Sequence, residues 1–119
     1  MKSDVNCGPA LCKLIMAIAL AFTLNPAAAQ SVNEGAAEEL AKAGKCFRCH
    51  SVDKAKKAPS YKRIAQKYKG KDGEGALLKH LSGAQKVKVE DGGDEEHEPP
   101  PAKDKADLLN LIRWILSRE

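Results

Sequence analysis

Aromatic residues are scarce in this 119-residue chain: two Phe, two Tyr and one Trp, 4% of the whole. A chain so poor in large side chains has little from which to build a core unaided. Cysteine is sparse as well, four in all, too few for a disulfide scaffold at this length. Both methionines, Met1 and Met16, fall among the first thirty residues. Beyond those thirty, no stretch is long and apolar enough to span a bilayer, and no segment alternates in the manner of a strand. The length leaves room for one small domain and excludes a multidomain enzyme. What is present is ordinary for a globular domain: 43% hydrophobic and 30% charged residues, with a net charge of +4 from 20 Lys and Arg against 16 Asp and Glu.

The N-terminal region reads as a targeting segment. Leu14 to Leu24, LIMAIALAFTL, carries no charge, and Lys2 and Lys13 precede it with Asp4 as the only acid. Asn25-Pro26 then breaks the run, and Ala27-Ala28-Ala29 supplies small residues. A basic start, a short apolar centre and a small-residue site describe a cleaved secretory signal, expected over 1–29 with the cut before Gln30. The apolar run is too short to be a membrane anchor. Cleavage removes Cys7 and Cys12 and leaves a domain over 30–119 that is still basic, by three charges. Only Cys46 and Cys49 then remain, in a chain expected in the periplasm.

Those two cysteines belong to Cys46-Phe47-Arg48-Cys49-His50, a C-x-x-C-H run, the attachment pattern for c-type haem. On a helical turn, positions three apart share a face. Both thiols can therefore add to the two vinyl groups along one porphyrin edge. His50 follows at once and reaches the iron from that side, where a neutral imidazole is the usual proximal ligand. Three rival readings are weaker. A redox dithiol calls for a βαβ pattern, which is missing. Zinc calls for a second ligand pair at similar spacing, and His80 and His97 are isolated from each other in the sequence. A disulfide across two residues closes a very small loop and stabilises little. A covalent haem also offers the few aliphatic side chains a large apolar surface to pack on.

The remainder reads as short helices. Asn33 caps a helix over 34–44, with Ala37, Leu40, Ala41 and Gly44 on one small-residue face. Residues 51–60 form a Lys-rich loop. Pro59-Ser60-Tyr61 opens a second helix to Tyr68, with Tyr61, Ile64 and Tyr68 inward and Gly70 as its stop. A third runs from Asp72 to Leu81, burying Leu77, Leu78 and Leu81. Residues 84–102 have many charges, three prolines and no period, and are expected as a loop. Lys103 to Arg118 forms the longest helix, with Leu108, Leu111, Ile112 and Ile115 as its apolar stripe and Trp114 beside it. The expected fold is all-α: three to five short helices around one haem.

With these residues in place, the chain from about 34 to 119 resembles a class I cytochrome c of the short bacterial kind. The small-residue helix ahead of C-x-x-C-H is one landmark. Ala58-Pro59-Ser60-Tyr61 resembles the family's Gly-Pro-x-Tyr, and Trp114-Ile115-Leu116 its closing Trp-Val/Ile-Leu. The resemblance implies that the Pro59 carbonyl accepts the second ring N–H of His50, which fixes the tautomer and raises ligand basicity. It implies that the last helix crosses the first near Ala37, Leu40 and Gly44. It also implies one haem c, bound through Cys46 and Cys49, and one-electron traffic between redox proteins without catalysis of its own. Tyr61 and Trp114 are read as core packing.

One departure stands out. The family usually fills the iron's far side with a Met from a Met-Pro-Pro loop, and Met is absent after residue 16. The matching stretch here is Glu95-Glu96-His97-Glu98-Pro99-Pro100-Pro101. His97 is the candidate for the far ligand, and His80 the alternative. A Lys, a water or an open site completes the possibilities. Glu98 is a poor ligand for a buried haem because burying its carboxylate is costly. Imidazole on both sides lowers the potential relative to His/Met. Six acids among residues 90–98 act in the same direction unless salt screens them.

Residues 42–88 hold fourteen Lys and Arg against Asp53, Asp72 and Glu74. A basic ring around a haem edge steers acidic redox partners. Nucleic acid is a poor alternative, because aromatics do not interleave with the basic residues. The expectation is a monomeric periplasmic monohaem carrier. Two other readings stay open: a haem protein that binds a gas or anion at a weakly held far side, and a haem subunit of a dehydrogenase complex.

Overall fold

The computed structural model describes residues 30–119. The expected signal, 1–29, lies outside the described residues, and so do Cys7, Cys12, Met1 and Met16. Four α-helices carry the fold: α1 (Glu34–Ala43), α2 (Tyr61–Tyr68), α3 (Gly73–Leu81) and α4 (Lys105–Leu116). A single 3-10 turn, Cys46–Arg48, follows α1. Each helix starts at a polar side chain that accepts an otherwise unpaired backbone N–H. Asn33 takes Ala36 N–H at 3.0 Å, and Ser60 takes Arg63 N–H at 3.2 Å. Asp72 takes Gly75 N–H at 2.8 Å, and Asp104 takes Asp107 N–H at 2.9 Å. Each such cap is worth about 1 kcal/mol. The last helix is shorter than its apolar stripe suggested, because Asp104 sets its start.

Helices α1, α2 and α3 all pack on α4. Ala37 and Ala41 are 1% and 0% exposed and let α1 lie close against α4, whose Leu111 and Ile112 are 1% and 0% exposed. Burying side chains of this size contributes about 1.5–3 kcal/mol each. Trp114 closes the centre, with edge-on contacts to Phe47 at 6.4 Å and Tyr61 at 5.4 Å between ring centroids. The ends of α1 and α4 are clasped together. Asn33 N–H donates to Asn110 Oδ1 at 2.8 Å, Asn110 Nδ2 donates to the Asn33 carbonyl at 2.9 Å, and Arg118 Nη2 donates to Glu34 Oε1 at 3.1 Å.

The segment expected as a plain loop contains a hairpin instead. Strands β1 (Gln85–Lys88) and β2 (Asp94–His97) pair antiparallel, with Gln85 opposite His97, Lys86 opposite Glu96 and Lys88 opposite Asp94. Opposite charges facing across the ladder stabilise it in place of apolar alternation. Gly92, at φ +87, makes the turn, a conformation in which a side chain is strained. Beyond the hairpin the chain returns through Pro100, which presses on Gly44 at the end of α1. A Cβ on Gly44 would sit 2.9 Å from Pro100 Cβ and 3.2 Å from Cys46 Sγ. Glycine at this position is what lets the two segments meet beside the first cysteine.

Candidate haem-binding site

A cavity of about 630 Å3 opens between the C-x-x-C-H turn, helices α2, α3 and α4, and the hairpin. Cys46, Cys49 and His50 line one side of it. Ile64, Leu77, Leu81, Leu111 and Ile115 give it an apolar wall, and Val87 and Val89 reach it from the hairpin. His80 and His97 line it as well. Charged side chains, among them Arg63, Lys67 and Glu96, stand at its edge.

The turn that presents the motif is fixed by backbone bonds. His50 N–H donates to the Cys46 carbonyl at 2.9 Å, and Ala58 N–H to the Cys49 carbonyl at 3.0 Å. Lys45 enters the turn at φ +55, unusual for a residue with a side chain. Cys46 and Cys49 are both free, half-buried thiols. Burial pushes the Cys46 thiol above its ordinary range, against a smaller opposing effect of a hydrogen bond with Tyr61.

His50 Nδ1 stands 2.6 Å from the Pro59 carbonyl oxygen. A carbonyl only accepts, so Nδ1 carries the proton and Nε2 keeps its lone pair for a metal. The ring stacks on Tyr61, with centroids 5.3 Å apart and planes within 16°. Across the cavity, the His97 ring centroid is 6.3 Å from that of His50. His97 Nδ1 is buried and has no hydrogen-bond partner among the described residues. His80 is half-buried. Its ring centroid is 4.6 Å from that of His97, so the fold brings together two residues isolated in the sequence.

Burial lowers the pKa of all three histidines. For His50 the Pro59 hydrogen bond opposes the effect; for His80 and His97 neighbouring positive charge adds to it. The direction favours the neutral imidazole, the form that binds metal. The arrangement fits a haem: an apolar cavity with two thiols and a tautomer-fixed imidazole on one side, and across from them a half-buried imidazole whose Nδ1 has no hydrogen-bond partner among the described residues. No group of three or more His, Cys, Asp or Glu side chains that could hold a metal ion exists among the described residues.

The cytochrome c family matches residues 35–119. This chain belongs to that family. Its cofactor is therefore covalently bound haem c, with Cys46 and Cys49 in the attachment positions. Cytochrome c2 of Rhodocyclus tenuis is 34% identical over 80 residues, covering 66% of this chain and 87% of that protein. Cytochrome c-551 of Pseudomonas denitrificans is likewise 34% identical over 80 residues, with 67% and 94% covered. Among solved structures, the class 1 cytochrome MtoD from Sideroxydans lithotrophicus ES-1 superposes with a TM-score of 0.68 at 45% identity, covering 73% of this chain and 97% of that one. Cytochrome c552 of Nitrosomonas europaea gives 0.54 at 30% identity, with 69% and 99% covered. The cytochrome is thus of the electron-carrying class I type.

Several residues of the site escaped the sequence reading. Tyr61 packs in the core as expected and also stacks on the His50 ring. Gln85 reaches His80, with Nε2 at 2.8 Å from the His80 Nδ1 and 2.6 Å from the His80 carbonyl. Lys57 Nζ donates to Glu95 Oε1 at 2.9 Å, and Glu90 N–H donates to the Lys57 carbonyl at 2.9 Å. Lys56 Nζ donates to the Phe47 carbonyl at 2.8 Å. Two of the three lysines that follow the motif therefore hold internal partners, and Lys88 pairs with Asp94 at 2.9 Å. Part of the acidic stretch is neutralised where it stands.

Proposed function

We propose that this cytochrome is a soluble periplasmic one-electron carrier whose haem iron is held by His50 and His97. The observation that carries this reading is the 6.3 Å between the two ring centroids. Two imidazoles on opposite sides of one metal stand about 6 Å apart, given metal–nitrogen bonds of about 2 Å and a ring radius of about 1 Å. The absence of Met after residue 16 agrees with it. Haem supplies the one-electron chemistry. The chain's own part is to anchor it through Cys46 and Cys49 and to orient His50 through Pro59. The apolar wall of Ile64, Leu77, Leu81, Leu111 and Ile115 keeps water away. The partners are other redox proteins, those with acidic faces favoured by the remaining basic charge. Residues 1–29 act as the export signal, and no described helix is long and apolar enough to cross a membrane.

Spectra and potentiometry of the purified holoprotein test this. The ferric and ferrous forms are expected to be low-spin, without the long-wavelength band of methionine ligation. His97→Met is expected to create that band and raise the potential, since thioether favours ferrous iron. A His97→Met protein with the spectrum and potential of the wild type overturns the ligand assignment. A wild-type ferrous form that is high-spin and takes up carbon monoxide favours the ligand-binding reading instead.

A further inference from the structure

We propose that His80 is a second axial ligand for the haem iron, able to exchange with His97 when the hairpin lifts. The inference rests on the His50/His97 reading and extends it. Three observations carry it. First, His80 and His97 line the same cavity with ring centroids 4.6 Å apart, so one ring lies within a side-chain swing of the place the other occupies. Second, the two sit on elements of unequal firmness. His80 is on α3, which is anchored in the core by Leu77 and Leu81 at 7% and 8% exposure. His97 ends a hairpin of two four-residue strands, an element of marginal stability by itself. Its polar ties to the rest of the domain include the exposed Lys57–Glu95 pair, which is open to screening, the Glu90 N–H to the Lys57 carbonyl, and Gln85 to His80.

Third, Gln85 links the two histidines. It faces His97 across the ladder and at the same time grips the ring and carbonyl of His80. Ligation through Nε2 of His80 places the proton on Nδ1. In the structure Gln85 Nε2 donates to Nδ1, so that proton finds room only when the hairpin, which carries Gln85, moves away and releases the ring. The exchange is balanced: one iron–nitrogen bond breaks, one forms, and no electron moves. Its effect is to keep the iron six-coordinate, closed to small ligands, while the hairpin is away from the haem.

Electron paramagnetic resonance of the ferric holoprotein tests this. His97→Ala is expected to stay low-spin with g-values shifted from the wild type. Adding His80→Ala is expected to abolish that signal and leave high-spin iron. High-spin iron in His97→Ala alone overturns the exchange and leaves the His97 assignment standing. A shifted low-spin signal that survives in the double variant also overturns it, because another group has then moved in. A His97→Ala signal identical to the wild type overturns the His97 assignment, and the exchange with it. Should His97→Ala fail to fold, Lys57→Ala loosens the hairpin with both histidines in place. A second low-spin species, lost on adding His80→Ala, is then expected, and a single unchanged species overturns the inference.

Discussion

Lys57 Nζ lies 2.9 Å from Glu95 Oε1, and this pair joins the loop after the haem-binding motif to the strand that ends in His97. A surface pair of this kind contributes little to global stability. Its importance is local, because it holds down an element with few other ties.

In a His80→Ala background, which removes the replacement ligand, external ligands such as cyanide are expected to bind ferric iron faster with Lys57→Ala than with Lys57 in place. Rising ionic strength should bring the Lys57 rate toward that of the Lys57→Ala protein, since screening weakens the exposed pair. Stopped-flow mixing at low and high salt measures both. Equal rates at every salt concentration would show that the pair does not guard the iron.

Gly44→Ala is expected to destabilise the holoprotein by about 1–3 kcal/mol, the range for overpacking. The added Cβ would meet Pro100 Cβ at 2.9 Å and Pro100 Cα at 3.1 Å. Helix propensity alone predicts the opposite sign. Denaturant titration of the two proteins decides between them.

Asn110→Ala removes both side-chain bonds to the Asn33 backbone, at 2.8 and 2.9 Å. A loss of about 1–3 kcal/mol is expected, as for two ordinary hydrogen bonds. Amide exchange at the start of α1 should accelerate with it. Unchanged protection of residues 34–37 would show that the clasp is not what holds the helix end.

Arg113 donates to Glu74 through Nε at 2.9 Å and Nη2 at 3.0 Å, which holds the Glu74 carboxyl below its ordinary value of 4.5. A carboxyl lowered in the folded state stabilises the fold above its unfolded pKa, and that contribution is lost as pH falls through the folded one. Glu74→Gln is therefore expected to lower stability at neutral pH and to flatten its decline below pH 4.5. Urea midpoints across the acid range, with and without the substitution, measure this.

The helices and the haem-attachment positions were legible from local signals. Leu108, Leu111, Ile112 and Ile115 repeat at helical spacing, and Asn33 marks the start of α1. Cys46, Cys49 and His50 carry their chemistry in their spacing alone. The hairpin was not legible from polarity, because Lys86, Lys88, Asp94 and Glu96 are poor strand formers that pair by charge. Two local signals were present all the same: Lys86-Val87-Lys88-Val89 alternates polar and β-branched residues, and Asp91-Gly92 is a turn dipeptide between the strands. Missing the hairpin hid the rest. Only its register brings His97 and Gln85 to His80, and only its return brings Glu95 to Lys57.

The clasp between α1 and α4 also has a temporal meaning. Asn33 and Asn110 are separated by 77 positions, and Glu34 and Arg118 by 84. The helix that precedes the cysteines thus finds its seat only in α4, far along the chain. Until α4 docks, the motif hangs between unjoined segments, and contacts of such long range are slow to close. The topology itself thereby leaves Cys46 and Cys49 within reach until α4 docks.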